Sequence, residues 1–178
     1  MSQGPFNVPS GAAEHTEAGK ITHVLSEDHR RLHALLIRAR EGDRDAYDEF
    51  RGGLLRHIGI EEKIVLPALR ACGHEPVCAK QLHLDHSAIA AMLVPSPSPE
   101  LLTEIEALLT LHDPLEEGEG GLYRVADAQL ADIAAILDRI AAAPVPPLAP
   151  NFDGPRAFAA IELLLTRARE ARAPTAQQ

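Results

Sequence analysis

The stretch "RHIGIEEK" (residues 56–63) puts a histidine and a glutamate where an amphipathic helix should carry its apolar stripe. At 100° per residue, Phe50, Leu54, Val65 and Ala68 fall within about 60° of one another. His57 and Glu61 fall within about 20° of Phe50, in the middle of that stripe, and their spacing of four stacks one above the other. An inward histidine alone is usually a hydrogen-bonded core residue. An inward carboxylate is harder to accommodate, because unpaired burial costs several kcal/mol or forces protonation. Whatever fold this chain adopts must compensate that charge.

The same placement recurs along the chain. His29 lies in the stripe of Leu25, Leu32 and Leu36, His86 in that of Leu82, Ile89 and Leu93, and His112 continues Leu101, Ile105 and Leu108. An internal repeat accounts for it. "DHRRLHALL" (28–36) aligns with "DHSAIAAML" (85–93), and "HIGIEE" (57–62) with "HDPLEE" (112–117). Each half thus contributes one His and then His-x-x-x-Glu-Glu. Two antiparallel helix pairs would bring both sets to one level about a pseudo-twofold axis. Glu116 joins that level if its helix runs on from His112. Asp113-Pro114 reads instead as a helix restart, Asp113 as N-cap and Pro114 as first residue.

Four His and two Glu on four inner faces, with no Lys or Arg in those stripes, call for another source of positive charge. Metal ions supply it directly. Four imidazoles and two carboxylates suit two ions, each taking two His with the Glu residues bridging. Mixed imidazole and carboxylate ligation fits Fe or Mn best, with Zn possible. Six protein ligands for two ions leave coordination positions open, unlike a closed structural site.

At these residues the sequence resembles the hemerythrin-like family, also called the HHE cation-binding domain. The resemblance covers about residues 22–125 and rests on "DHRRLH", "HIGIEEKIVLPAL", "LDHSAIAAML" and "HDPLEEGEGGLYR" in that order. It implies a four-helix bundle holding a non-haem di-iron centre, oxo- or hydroxo-bridged. The ligands by motif position are His29, His57, Glu61, His86, His112 and Glu116. Family members bind dioxygen or nitric oxide, sense oxygen, redox state or iron, or handle iron and peroxide. The oxygen carriers have a further His four before the third-helix ligand. Here that position is Leu82, which puts reversible oxygen carriage in doubt. His33 stands near the stripe edge as a substitute, and His83 is about 60° away from His86. Glu117 is the understudy of Glu116, and Glu62 is open between a metal role and a solvated charge. Asp28 and Asp85, each preceding a histidine, read as surface charges in preference to acceptors for ring N–H groups on another helix. Tyr123 either approaches the site or simply packs.

The rest of the chain fits an all-α, up-and-down four-helix bundle with an additional C-terminal helix. Helices are expected over 20–41, 44–71, 76–93, 100–112, 122–142 and 156–172, with Pro67 kinking the second and Pro76 opening the third. Residues 1–19 read as a flexible arm, 20–142 as the bundle, 143–155 as a Pro-rich linker, and 156–178 as the terminal helix and tail. That helix carries Phe158, Ile161, Leu164, Leu165 and Ala168, and could cap the bundle, bind a partner or form a homodimer. Net charge is −9 over 178 residues, which argues against nucleic-acid binding. No signal-like N-terminus or membrane-length apolar run appears, so a cytoplasmic location is expected. Cys72 and Cys78 fit no trusted zinc spacing and read as ordinary thiols. The function expected is binding or sensing of a small oxidant or gas: oxygen, nitric oxide or peroxide. A di-iron oxidase or peroxidase and a metal-stabilised interaction module are the alternatives.

Overall fold

The structure, a computed structural model, describes residues 20–173. Among the described residues, eight α-helices carry the fold: α1 (Ile21–Arg40), α2 (Arg44–Ile60), α3 (Leu66–Ala71), α4 (Ala79–Met92), α5 (Pro99–Glu117), α6 (Leu122–Gln129), α7 (Ile133–Ala142) and α8 (Pro155–Arg172). A π-helical turn, Glu61–Val65, joins α2 to α3 without a break. The expected arm and the last five residues, 174–178, lie outside the described residues.

The core is two apolar clusters with a polar layer between them. α1 passes from Ile21 and Leu25 in one cluster, through His29, to Leu32, Leu35 and Leu36 in the other. α2, continued by the π turn and α3, runs the opposite way, from Phe50 and Leu54 through His57 and Glu61 to Val65 and Leu69. α4 repeats the direction of α1, from Leu82 through His86 to Ile89 and Met92. α5 repeats that of α2, from Ile105 and Leu108 through His112 and Glu116 towards Leu122. The alternation is the up-and-down bundle, and it brings the six polar side chains to one level.

Local chemistry sets the ends of these helices. Gly42 takes φ +96 after α1, and Asp43 then caps α2 by accepting from Ala46 N at 2.9 Å. Ser98 caps α5 by accepting from Leu101 N at 3.2 Å, with Pro99 in the first turn. Asp127 of α6 reaches back to the start of α1, accepting from Ile21 N at 2.7 Å and from Thr22 Oγ1 at 2.6 Å. That bond ties the segment after the second motif to the helix that carries His29.

Four expectations about elements need correction. α5 does not restart at Asp113-Pro114: it runs through Pro114 to Glu117. Proline removes one hydrogen bond but here does not end the helix, so Glu116 stays one turn beyond His112. Pro67 does not stand in the last turn of one continuous α-helix: it lies in the first turn of α3, directly after the wide π turn in which Leu66 N bonds to Glu61 O. Pro76 sits in the turn before α4 rather than in its first turn, and α4 begins at Ala79. The segment 122–142 is two helices, because Asp132 accepts from Ala135 N at 2.9 Å and starts α7 afresh.

Residues 143–153 have no regular structure but are tied down. Buried Arg51 donates to Leu93 O at 2.7 Å and to Ala149 O at 2.9 Å. Asp153 accepts from Ser96 N and Oγ at 2.7 and 2.8 Å. α8 then lies along α4, burying Ala157, Ile161, Leu165 and Ala168. Phe158, another apolar residue of that helix, is exposed.

Candidate metal centre

The polar layer holds two groups of donor atoms. His29, His57, Glu61 and Glu116 form one, and His86, His112, Glu61 and Glu116 the other, with the donor atoms of each within 4.8 Å of one another. All six residues are buried, and the two glutamates belong to both groups. The sequence expectation placed these six together, and the fold brings them together. The His29 and His57 rings lie 4.5 Å apart and the His86 and His112 rings 4.8 Å, as the repeat implies.

Every imidazole is held from outside by a carboxylate on its Nδ1. Glu117 accepts from His29 at 2.6 Å, Asp28 from His57 at 2.9 Å, Glu62 from His86 at 2.8 Å and Asp85 from His112 at 3.1 Å. The pattern follows the repeat. The Asp before the first His of each half holds the second His of that half, and the Glu that ends each half holds the first His of the other. With Nδ1–H committed outward, every Nε2 faces the interior. Asp28 and Asp85 are therefore not surface charges; both serve a neighbouring helix. Glu117 and Glu62 hold imidazole rings, and Glu116 is the inward acid of its pair.

Inside the layer, His86 Nε2 stands 3.2 Å from Glu61 Oε2 and 3.3 Å from Glu116 Oε1, and His112 Nε2 lies 2.8 Å from the latter. Glu61 Oε2 is buried without a hydrogen-bond partner, since the His86 approach lacks the alignment of one. Tyr123, fully buried, sets its hydroxyl among the first group. It donates to Glu61 Oε1 at 2.6 Å, with His57 Nε2 at 3.0 Å and His29 Nε2 and Glu116 Oε2 each at 3.1 Å. Its approach depends on glycine. A Cβ on Gly121 would lie 2.6 Å from Glu116 O, so only glycine lets α6 start this close to the end of α5.

The electrostatics is steep. Burial pushes His57 down, but the Glu61 charge and the bonds to Asp28 and Glu61 outweigh it and lift its pKa to about 10. His112 follows the same logic, burial opposed by Glu116 and Asp85, and reaches about 9. Burial raises both inner glutamates, yet the surrounding imidazoles hold Glu61 low and Glu116 well below the carboxylate range. Burial and the Glu116 and Glu61 charges push Tyr123 well up, so it stays a neutral donor. Asp28 is raised by burial and lowered more strongly by His57 and Arg31, to about 2. Protons on inward nitrogens and metal ions thus compete for the same lone pairs.

The donor set fits a pair of metal ions. Four inward imidazole nitrogens and four carboxylate oxygens converge, one of them an orphaned oxygen, and in the first group four such atoms surround the Tyr123 hydroxyl. The remaining candidates stay outside. His33 is half exposed and faces Asp113 at 3.6 Å, His83 is exposed beside Glu62, and Leu82 lies in the apolar core. Cys72 and Cys78 are free thiols belonging to neither group. No helix among the described residues is long and apolar enough to cross a membrane. Compared with known proteins, the chain matches no family model, no curated protein and no solved structure.

Proposed function

We propose that this chain is a hemerythrin-like, non-haem di-iron protein that binds or senses a small oxidant or gas: oxygen, nitric oxide or peroxide. One observation carries the reading: two His₂ groups share Glu61 and Glu116, and each imidazole is aimed inward by its own carboxylate. His29 and His57 would hold one ion, His86 and His112 the other, and Glu61 and Glu116 would bridge. An iron pair supplies, when bound, reversible redox chemistry and coordination positions that six protein groups leave open. Mn or Zn fits the same donors less well for that task.

The chain's own residues do the rest. Glu117, Asp28, Glu62 and Asp85 fix ring orientation and strengthen the nitrogens as donors. The apolar clusters on either side of the layer exclude bulk water, which slows proton leakage. Tyr123 holds a proton at its hydroxyl beside Glu61, 3.1 Å or less from every donor atom of the first group. A small molecule bound at that position would find the Tyr123 O–H within the first group. A cytoplasmic setting, with reduced thiols and free of nucleic acid or membrane, belongs to the same proposal.

That phenol also favours a second reading, a peroxide-consuming or oxygen-reducing enzyme, since it supplies an oxidisable group at the site. Metal analysis with an optical spectrum before and after oxygen exposure tests the first reading. About two irons per chain with oxo-bridge charge-transfer bands support it, and one zinc with no iron sinks it. Catalytic loss of hydrogen peroxide with the iron-loaded protein, absent in His57→Ala, would establish the second.

A further inference from the structure

The two halves of the layer hold their outer aspartates differently. In the first half Asp28 divides its work: Oδ2 accepts from His57 at 2.9 Å, while Oδ1 accepts from Arg31 Nε at 3.0 Å. Arg31 lies three residues after Asp28 on the same helix and is half exposed. In the second half, three residues after Asp85 comes Ala88, buried and uncharged. Asp85 is nonetheless fully buried and ion-paired, because Arg172, the last residue of α8, donates to its Oδ2. That is the oxygen that accepts from His112 Nδ1. Gln81 Nε2 completes the link, donating to Asp85 Oδ1 at 2.8 Å and to Ala168 O of α8 at 3.0 Å.

We propose that Arg172 is a positioning residue for one of the two metal positions, so that the C-terminal helix belongs to the centre and not merely to its outer packing. The inference rests on the di-metal reading above. Its physical basis is charge compensation. Asp85 is buried by α4 and α8 and has Arg172 as its cation, whereas Asp28 has one on its own helix. Asp85 can hold His112 in its inward-facing orientation only while the guanidinium holds Asp85. The His86–His112 position therefore depends on one side chain of α8 through a direct polar chain, Arg172 to Asp85 to His112. The His29–His57 position does not. The two ions are inequivalent, the second being the one whose retention the end of the chain controls.

Ferrous iron is the probe, added anaerobically to the full chain and withdrawn by a competing chelator, so that the two ions are counted separately. Loss of an outer carboxylate's support typically weakens a metal about 10- to 100-fold. Arg172→Met should weaken the second ion by that factor and leave the first at its wild-type affinity. Arg172→Lys, which keeps the charge without the planar fork, should recover part of the loss. Arg31→Met should leave the second ion untouched. Leu165→Ala loosens α8 packing without touching Asp85 and should retain two-step binding. The proposal is overturned if Arg172→Met binds both ions as wild type does, if both weaken together, or if Leu165→Ala reproduces its effect. Should Arg172→Met not fold, Arg172→Lys decides: wild-type binding of the second ion overturns the proposal, and selective weakening supports it. Wild-type protein that takes up no ion pair would refute the underlying reading instead.

Discussion

Glu117 accepts a hydrogen bond from His29 Nδ1 at 2.6 Å across the contact between α5 and α1, while its neighbour Glu116 lies in the layer, 3.2 Å from Nε2 of the same ring. Two adjacent acids thus have different tasks, one shared by both metal positions and one serving a single ring. Glu116→Ala should abolish uptake at both positions. Glu117→Gln should weaken only the His29–His57 position, by about 10- to 100-fold. Metal content after gel filtration and chelator competition read the difference, and equal losses in the two variants would contradict it.

Tyr123 donates the one O–H that the first group shares. In metal-free protein, Tyr123→Phe should lower stability by about 1–2 kcal/mol, the scale of a buried hydrogen bond lost to ionised partners. Iron-loaded protein should lose less, because the ion meets the same acceptors. Urea titrations of both forms check this; a larger loss in the loaded form would be the wrong sign.

Gly121 and Gly59 make a matched pair of backbone tests. A Cβ at 121 would meet the Glu116 carbonyl, so Gly121→Ala should cost about 1–3 kcal/mol and displace Tyr123. A Cβ at Gly59, within α2, meets nothing within 4 Å. Gly59→Ala should be neutral or stabilising by up to about 1 kcal/mol, since alanine is the better helix former. Thermal unfolding separates the two.

The pH dependence of metal-free protein has a defined sign. His57 and His112 have folded pKa values of about 10 and about 9, raised from 6.5. Their contribution to stability is therefore fully present below about pH 6.5 and is lost as pH rises through 9 and 10. The lowered acids, Glu61, Glu116 and Asp28, act at the other end: their contribution is present above their ordinary range and lost as pH falls through their folded pKa values. Stability of the metal-free chain should thus be greatest between about pH 4.5 and 6.5 and decline on either side. Metal uptake should release protons and tighten as pH rises towards 9. Calorimetry in buffers of different ionisation enthalpy measures the release, and uptake without proton release would contradict the assignment.

Periodicity was enough to read the bundle and its six inward groups, because those six stand on helix faces whose direction a wheel predicts. Contacts between helices were not so readable. The wheel turned Asp28 and Asp85 away from their own histidines, which is correct, and could not show that His57 and His112 would come to meet them. The Asp-His and Glu-Glu pairs of the repeat did carry that signal, because a pseudo-twofold layer needs outer acceptors in matched positions. At Asp113-Pro114 the local turn chemistry is overridden by tertiary packing that carries the helix through, with Glu116 fixed among His29, His86 and His112. Arg172 had no local signature at all: its partner Asp85 lies 87 residues away.

Anomalous diffraction at the iron edge, from crystals of the chain grown with ferrous iron, tests the central claim most directly. Two peaks about 3.5–4 Å apart are expected, both within bonding distance of Glu61 and Glu116, one flanked by His29 and His57 and the other by His86 and His112. Peaks elsewhere, or none between those glutamates while they pair only with the histidines, would contradict the account.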